Sequence, residues 1–301
     1  MTLLKLSGTS PMTHPPVTAI VIFRNEKHHL ERCLSALRWC SEVIAVDMES
    51  SDGSLEIARE WSDRVLSVAQ CPIAEPTRVA AAKLARNDWV LLVDPDEEIP
   101  ESLSRDIRET LADHPDAGAV SLPMWFYFKG KRLTGTVWGT LTFKQRLIHR
   151  KRCDLLPLCN RISQIRPGQR DVRVMHDGEN HMRHFWSDSY RDLLHKHFVR
   201  YSHTEAAAMV AQGRRFGLKM AFVTPLVELK KSLRDFDGWR IWPRGWFLSG
   251  IYFGYVLASH WLTLYYQWRG APAERPQQHE LPTLTDVTGT TPAPMPGRLA
   301  A

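Results

Sequence analysis

The run Trp89-Val90-Leu91-Leu92-Val93 is an apolar segment that ends in two carboxylates one residue apart, Asp94 and Asp96, followed by Glu97 and Glu98. Side chains i and i+2 leave an extended strand on the same side, so Asp94 and Asp96 are expected to converge if that conformation continues through Pro95. Hard divalent cations such as Mg²⁺ or Mn²⁺ take oxygen ligands of this kind and complete their shell with water and phosphate oxygens. The chemistry implied is a metal-bridged diphosphate. An acidic loop after a buried strand has the same composition, and the rest of the chain must separate the two readings.

The elements that would position these carboxylates are legible as further apolar runs. Residues 17–23, 43–46 and 65–68 are short and rich in β-branched side chains, as suits strands buried on both faces. Helical patterns lie between them: Leu30, Leu34 and Leu37 recur at helical spacing, residues 55–61 follow a Ser-Asp-Gly turn, and 78–86 is rich in Ala. Strands alternating with helices imply βαβ units, an α/β class and a mostly parallel sheet. Ligands of such sheets sit at the carboxyl ends of the strands. Here those ends carry Arg24-Asn25-Glu26, the stretch from Asp47 to Gly53, and Asp94 to Glu98.

Four stretches resemble the family-2 glycosyltransferases of the GT-A fold, in particular the branch that builds lipopolysaccharide core and other surface glycans. Val21-Ile22-Phe23-Arg24-Asn25-Glu26 is similar to the family's first strand and its Asn-Glu ending. Val46-Asp47-Met48-Glu49-Ser50-Ser51-Asp52-Gly53-Ser54 resembles the segment that holds the nucleotide, and Asp94-Pro95-Asp96-Glu97 the Asp-x-Asp-Glu metal motif. Arg78 stands where the family carries an Arg-Asn pair, with Val79 in place of the Asn. Weaker likeness continues through Arg146-Leu147, through residues 184–205 and through 235–268.

The resemblance implies a nucleotide-sugar-binding GT-A domain with a C-terminal helical, membrane-associated extension, and it implies roles. Glu26 would contact ribose or base, or else cap the following helix. Asp52 would accept from the base imide, or close an Asx-turn. Asp47 belongs to the same donor site. Arg78 would neutralise diphosphate charge or remain a surface residue. Asp96 is the metal ligand, with Asp94 reaching the ribose, a metal-bound water or the Mg²⁺ or Mn²⁺ itself. His184 falls near an acceptor-side position. Transfer with inversion needs a carboxylate to take the acceptor proton. Relatives often carry a His-Glu pair where this chain reads Leu158-Cys159-Asn160-Arg161-Ile162, without an acid. Asp171, Asp177 and Glu179 are the nearest later candidates for the base, and Glu97 and Glu98 are possible helpers. A catalytically inactive GT-A-like membrane-associated scaffold or binding protein is the alternative.

Other classes lack their signatures. No Gly follows the first strand, against a dinucleotide dehydrogenase. A phosphatase of the haloacid dehalogenase type carries its Asp-x-Asp on the first strand, not the fourth. His176, His181, His184, His195, His197 and His203 have no compact zinc spacing and no accompanying Cys pair. The net charge of +6 fits an anionic partner such as a nucleotide, phosphorylated glycan or lipid, and no nucleic-acid motif accompanies it.

Five Cys at irregular spacing, without a leading hydrophobic segment, suggest a cytoplasmic chain. Residues 245–267 contain no Asp, Glu, Lys or Arg and are rich in aromatics, with basic residues on both flanks. A helix there is long enough to span a bilayer, and it fits equally an interfacial anchor on the inner face of the cell membrane. The expected organisation is a loose N-terminus (1–16), a nucleotide-sugar-binding half (17–123), an acceptor-side region (124–205), a helical extension (206–269) and a disordered Pro- and Thr-rich tail (270–301).

Overall fold

The computed structural model describes residues 15–71, 74–158, 161–211, 213–270 and 281–288. In chain order the elements are β1 (Val17–Phe23), α1 (Lys27–Ser35), β2 (Glu42–Asp47), α2 (Ser54–Trp61), β3 (Arg64–Ser67), α3 (Glu75–Leu84), β4 (Trp89–Val93), β5 (Glu97–Glu98) and α4 (Glu101–Asp113). They continue as β6 (Ala119–Phe128), β7 (Lys131–Arg132), β8 (Thr142–His149), β9 (Cys153–Leu158), β10 (Arg161–Ile165), β11 (Asp171–Arg173) and β12 (Met182–Ser187). The last are α5 (Tyr190–His195), α6 (Ser202–Ala211), α7 (Thr224–Lys230), α8 (Arg244–Arg269) and β13 (Thr285–Asp286).

The chain divides into two compact units. Among the described residues the first comprises 15–123, 143–182 and 281–288, the second 124–142 and 183–270. The stretch expected as one acceptor-side region is therefore split, because β8 to β11 return to the first unit.

In the first unit β3, β2, β1 and β4 lie side by side and parallel. All residues of β1, β2 and β4 are buried, which is why their sequences are apolar on both faces. Next to β4 the sheet turns mixed: β8 runs antiparallel to it, with Trp89 opposite His149, and β6 follows β8. One core joins Ile20, Ile22, Ile44, Val46, Val90 and Leu92 of the sheet to Ala81, Ala82 and Ala85 at the end of α3, whose small side chains let the helix lie close. On this scaffold β1, β2 and β4 all deliver their carboxyl ends to the same side.

The second unit is built around Phe128, Leu133, Trp186, Leu193, Leu248 and Ile251. His197 is buried among Trp138, Trp186, Tyr201 and Tyr255, with ring centroids 5.0–5.5 Å apart. Its Nδ1–H donates to the Leu193 carbonyl at 2.8 Å, and burial holds its pKa below the ordinary value. His195, two residues away, is exposed. Among the described residues no helix is long and apolar enough to cross a membrane, which removes the spanning reading of 245–267.

The tail is corrected in part. Residues 271–280 and 289–301 lie outside the described residues, as do 1–14 of the expected N-terminal segment. Residues 281–288, expected as disordered, form β13 antiparallel to β3, with Thr285 opposite Ser67. Val287 N–H donates to the Val65 carbonyl at 2.8 Å, Thr288 Oγ1 accepts from Val65 N–H at 2.9 Å, and Leu284 packs on the core. The physical reason is the open edge of β3, whose unpaired backbone groups take a strand even from a Pro- and Thr-rich segment. A chain ending at residue 280 should melt a few degrees below one ending at 288, a loss of about 1–3 kcal/mol for these bonds and the Leu284 contact. Equal melting midpoints in calorimetry would show that the strap contributes nothing.

Candidate functional site

The loops that close β1 and β2 are tied together by their own polar atoms. Asn25 N–H donates to Ser50 Oγ at 3.0 Å, Glu26 N–H to Ser54 Oγ at 2.9 Å and Lys27 N–H to Asp52 Oδ2 at 3.0 Å. In the reverse sense Ser51 N–H donates to Asn25 Oδ1 at 2.8 Å. Asn25 and Glu49 both hold left-handed backbone, φ 56° and 60°, at the ends of their strands. Such angles persist in non-Gly residues when surrounding bonds over-determine them, and they cluster at functional loops. Gly53 supplies the φ of 92° that opens α2, which side chains resist.

The bonds bear on the structural half of each alternative read from the sequence. Glu26 is the N-cap residue of α1, yet its side chain makes no capping bond, so its position is not explained by capping. Asp52 does close an Asx-turn, since Oδ1 accepts from Ser54 N–H at 3.0 Å and from Ser54 Oγ at 2.5 Å. Burial opposes its ionisation, but the bonds from Ser54 and Lys27 outweigh that and hold its pKa below the usual carboxylate value. A carboxylate has about four lone-pair positions, so the turn leaves acceptor capacity on Oδ2. Asp47 is buried at the end of β2, where Oδ1 accepts from Ser50 N–H at 3.0 Å.

The acidic segment departs from the expected geometry. β4 ends at Val93, and Asp94-Pro95-Asp96-Glu97 is a tight turn closed by Glu97 N–H to the Asp94 carbonyl at 2.9 Å. Pro95 at the second position presets the φ of such a turn, so extension does not continue and Asp94 and Asp96 do not converge as strand neighbours. Instead Asp94 is clamped between two guanidinium groups. Arg78 Nη2 donates to its Oδ1, and Arg146 Nη2 donates to its Oδ2 at 2.8 Å. Arg146 Nη2 also donates to Glu97 Oε1, and Glu97 Oε2 accepts from Asp94 N–H at 2.9 Å. Glu97 is 1% exposed, and both its carboxylate oxygens are engaged within the turn and by Arg146. Burial disfavours the Arg146 cation, but Glu97 and Asp94 more than compensate and raise its pKa above the ordinary range.

A hard cation needs one or two protein carboxylates beside phosphate oxygens. Asp94, with a guanidinium on each oxygen, is a poor ligand. Asp96, half-exposed in the middle of the turn, fits, and Mg²⁺ or Mn²⁺ is compatible with this donor set. Among the described residues no group of three or more His, Cys, Asp or Glu side chains is placed to hold a metal by protein ligands alone.

The base candidates separate. β6 runs antiparallel to β8 and so points the same way as β4, and β11 is parallel to β6 with Asp171 opposite Ala119. Asp171 therefore sits at the end of the sheet where β4 begins, bonded to Ser121 Oγ at 2.6 Å, and is excluded as a base beside Asp94 and Asp96. Asp177 and Glu179 follow β11 and leave the sheet at its other end. Asp177 Oδ1 accepts from Glu179 N–H at 2.9 Å and Asn180 N–H at 3.0 Å, which lowers its pKa. Glu179 is exposed. Buried Asn180 donates to Asp106 of α4 and fixes this loop. His184 belongs to the second unit, where its ring stacks on Phe126 at 4.9 Å. Cys159 and Asn160, the position of the missing acid, lie outside the described residues. Arg146 is what sequence reasoning undervalued; its signal was a cation before Leu147-Ile148 in a strand otherwise buried at that end.

A mixed, mostly parallel α/β sheet with polar loops and an acidic turn at the carboxyl ends of its parallel strands defines a GT-A-like domain. The chain belongs to glycosyl transferase family 2, whose model matches residues 18–184. An uncharacterised glycosyltransferase of Rickettsia felis is 31% identical over 105 residues, which cover 33% of this chain and 35% of the relative. The lipopolysaccharide core biosynthesis glycosyltransferase LpsC of Rhizobium meliloti is 29% identical over 106 residues, 32% of this chain and 37% of that protein. The match thus spans about a third of the length of these relatives. Among solved structures, the mannosyltransferase PcManGT of Pyrobaculum calidifontis in complex with GDP-Man and Mn²⁺ aligns with a TM-score of 0.47 at 15% identity, covering 84% of this chain and 88% of that one.

The clamp makes a stability forecast. Asp94→Ala leaves Arg78 and Arg146 without their shared anion and should cost about 2 kcal/mol or more, whereas Asp96→Ala, at a half-exposed turn position, should cost about 1 kcal/mol or less. Denaturant titration of both variants checks the order, and equal losses would contradict it.

Proposed function

We propose that the protein is an enzyme that transfers a sugar from a UDP- or other nucleoside-diphosphate sugar to a lipid-linked or lipopolysaccharide or surface-glycan acceptor, with inversion. One observation carries the reading: in a family-2 chain, Glu26, Asp47, Asp52, Arg78 and Asp96 lie at the carboxyl ends of parallel strands or in the loops and helix starts that follow them. Glu26, Asp47 and Asp52 orient the nucleoside through fixed acceptors. Arg78, already turned toward the acidic turn, adds positive charge for the diphosphate. Mg²⁺ or Mn²⁺, held by Asp96 and the diphosphate, would supply Lewis-acid stabilisation of the leaving group. The acceptor hydroxyl oxygen bonds to the anomeric carbon as the bond to the diphosphate oxygen breaks. The acceptor proton passes to a carboxylate, for which Glu179 is the better candidate, since Asp177 is committed to two backbone N–H groups.

For the membrane surface the support is the polarity of α8. Its Ser249, Ser259, His260 and Thr263 are buried, while Trp246, Phe247, Trp261, Leu264, Tyr265 and Trp268 face outward. At about 100° per residue the outward side chains fall in one sector. The buried polar groups are satisfied inside the unit: Ser249 pairs with Ser232 at 2.7 Å and His260 Nδ1–H donates to the Met220 carbonyl at 2.5 Å. A helix with its polar groups inward and its aromatics outward suits an apolar surround, and exposed Lys219, Lys230, Arg234, Arg240 and Arg269 suit anionic headgroups. The helix would lie on the inner face of the cell membrane and confine the enzyme to the surface of its acceptor.

Calorimetry with a nucleoside diphosphate and Mn²⁺ tests the donor site. We expect Asp96→Ala to lose at least tenfold in metal-dependent affinity, and Glu179→Gln to keep donor affinity while losing transfer by a hundredfold or more. Unchanged affinity in Asp96→Ala would remove the metal assignment. The membrane assignment is tested by sedimentation with anionic phosphatidylglycerol vesicles: Trp261→Ser/Trp268→Ser should reduce partitioning severalfold with nucleotide binding intact, and undiminished partitioning would refute it.

A further inference from the structure

Arg146 lies outside the residues assigned to donor, metal or acceptor, yet it touches the acidic turn more extensively than any of them. It projects from β8, which the β4 pairing sets antiparallel, with Leu147 opposite Leu91. This register brings the residue before Leu147 to the carboxyl end of β4. Its guanidinium meets the first carboxylate of the turn, Asp94, and the last, Glu97. Glu97 in turn receives the backbone N–H of Asp94, so one cation and one buried anion brace both ends of a four-residue turn. Below it, Cys33 Sγ–H donates to the Asp94 carbonyl at 3.5 Å. Asp96, the third carboxylate of the turn, is half-exposed.

We infer that Arg146 is the positioning residue of the metal turn: by bracing Asp94 and Glu97 it holds the backbone so that Asp96 is presented to a divalent cation on the donor diphosphate. The role rests on the donor-site reading above, and it assigns Arg146 no contact with substrate. A fixed turn is required because a single protein carboxylate must meet a cation whose other ligands come from the diphosphate and water, and a ligand that wanders loses affinity through its own disorder. Lysine cannot replace the brace. Its ammonium is a strongly hydrated point charge on a flexible stem, whereas the planar, weakly hydrated guanidinium presents one nitrogen, Nη2, to both carboxylates from a fixed direction.

The test compares the full-length wild type with Arg146→Lys, and with Arg146→Met if the lysine variant does not fold, by two readouts. The first is Mn²⁺ binding in the presence of UDP or GDP, followed by the electron-spin signal of free Mn²⁺, beside nucleotide affinity without metal. We expect Arg146→Lys to weaken Mn²⁺ binding at least tenfold while metal-free nucleotide affinity changes less than twofold. The second is peptide-resolved alkylation of Cys33, which is fully buried beneath the turn and inert while the turn is held. Its rate should rise severalfold in Arg146→Lys, with Cys40 unchanged as a buried control. Unchanged Mn²⁺ affinity in the folded variants, or a loss matched by equal loss of metal-free binding and equal exposure of Cys40, overturns the positioning role. Absence of metal-dependent binding in the wild type overturns the donor-site reading and this inference with it.

Discussion

The ion pair between Arg146 and Glu97, with Asp94 as its third member, is the interaction on which the candidate site depends. Three carboxylates stand within one turn, and two of them converge on a single guanidinium. Without that cation, packing Asp94 and Glu97 this closely would be opposed by mutual repulsion and by the cost of burial. Buried ion pairs contribute little net stability compared with apolar residues of the same size, but losing one partner is expensive. The arrangement therefore serves placement more than stability. It also distinguishes acids that look alike in the sequence: Glu97 is a buried brace, Asp94 a bridge between Arg78 and Arg146, and Asp96 stays half-exposed.

A second constraint acts at the neighbouring loops. Parallel strands release their chains at one end, and the loops leaving β1 and β2 cannot use each other's ladder beyond Phe23 and Asp47. Side chains of Asn25, Ser50, Asp52 and Ser54 take over the backbone bonding there. Short Ser, Asn and Asp side chains suit the task because they reach nearby N–H groups without leaving the turn. This bonding carries Asn25 and Glu49 in left-handed backbone at the ends of their strands.

The second unit follows a different rule of polarity. Its core is aromatic, with Trp186 and Trp138 packed around His197, and its longest helix buries hydroxyl and imidazole groups while exposing indoles. Hydroxyls of Ser259 and Thr263 bond to carbonyls one turn earlier at 2.8 Å, so their burial leaves no unpaired donor. Ser249, Ser259, His260 and Thr263, which lower the mean hydropathy of 245–267, are thus inside, whereas Gln267 at the end of the segment is exposed.

The residue order was enough to read the alternation of buried strands and helices, the parallel order of the first four long strands and the family, because apolar runs, Ser-Asp-Gly turns and the acidic motif are local patterns with local causes. Even the opposed faces of His195 and His197 follow from helical geometry. What required the tertiary structure were relations between segments far apart in the chain. Pro95 converts a strand into a turn, but only the antiparallel register of β8 brings Arg146 beneath it. Asp171 and Glu179 are equivalent acids in the sequence, and the direction of β11 sends them to opposite ends of the sheet. The segment 281–288 carries a disordered composition, yet β3 offers an open edge that pairs with it. Backbone bonding and the packing of buried charges, unlike local propensity, are decided by which distant segment arrives alongside.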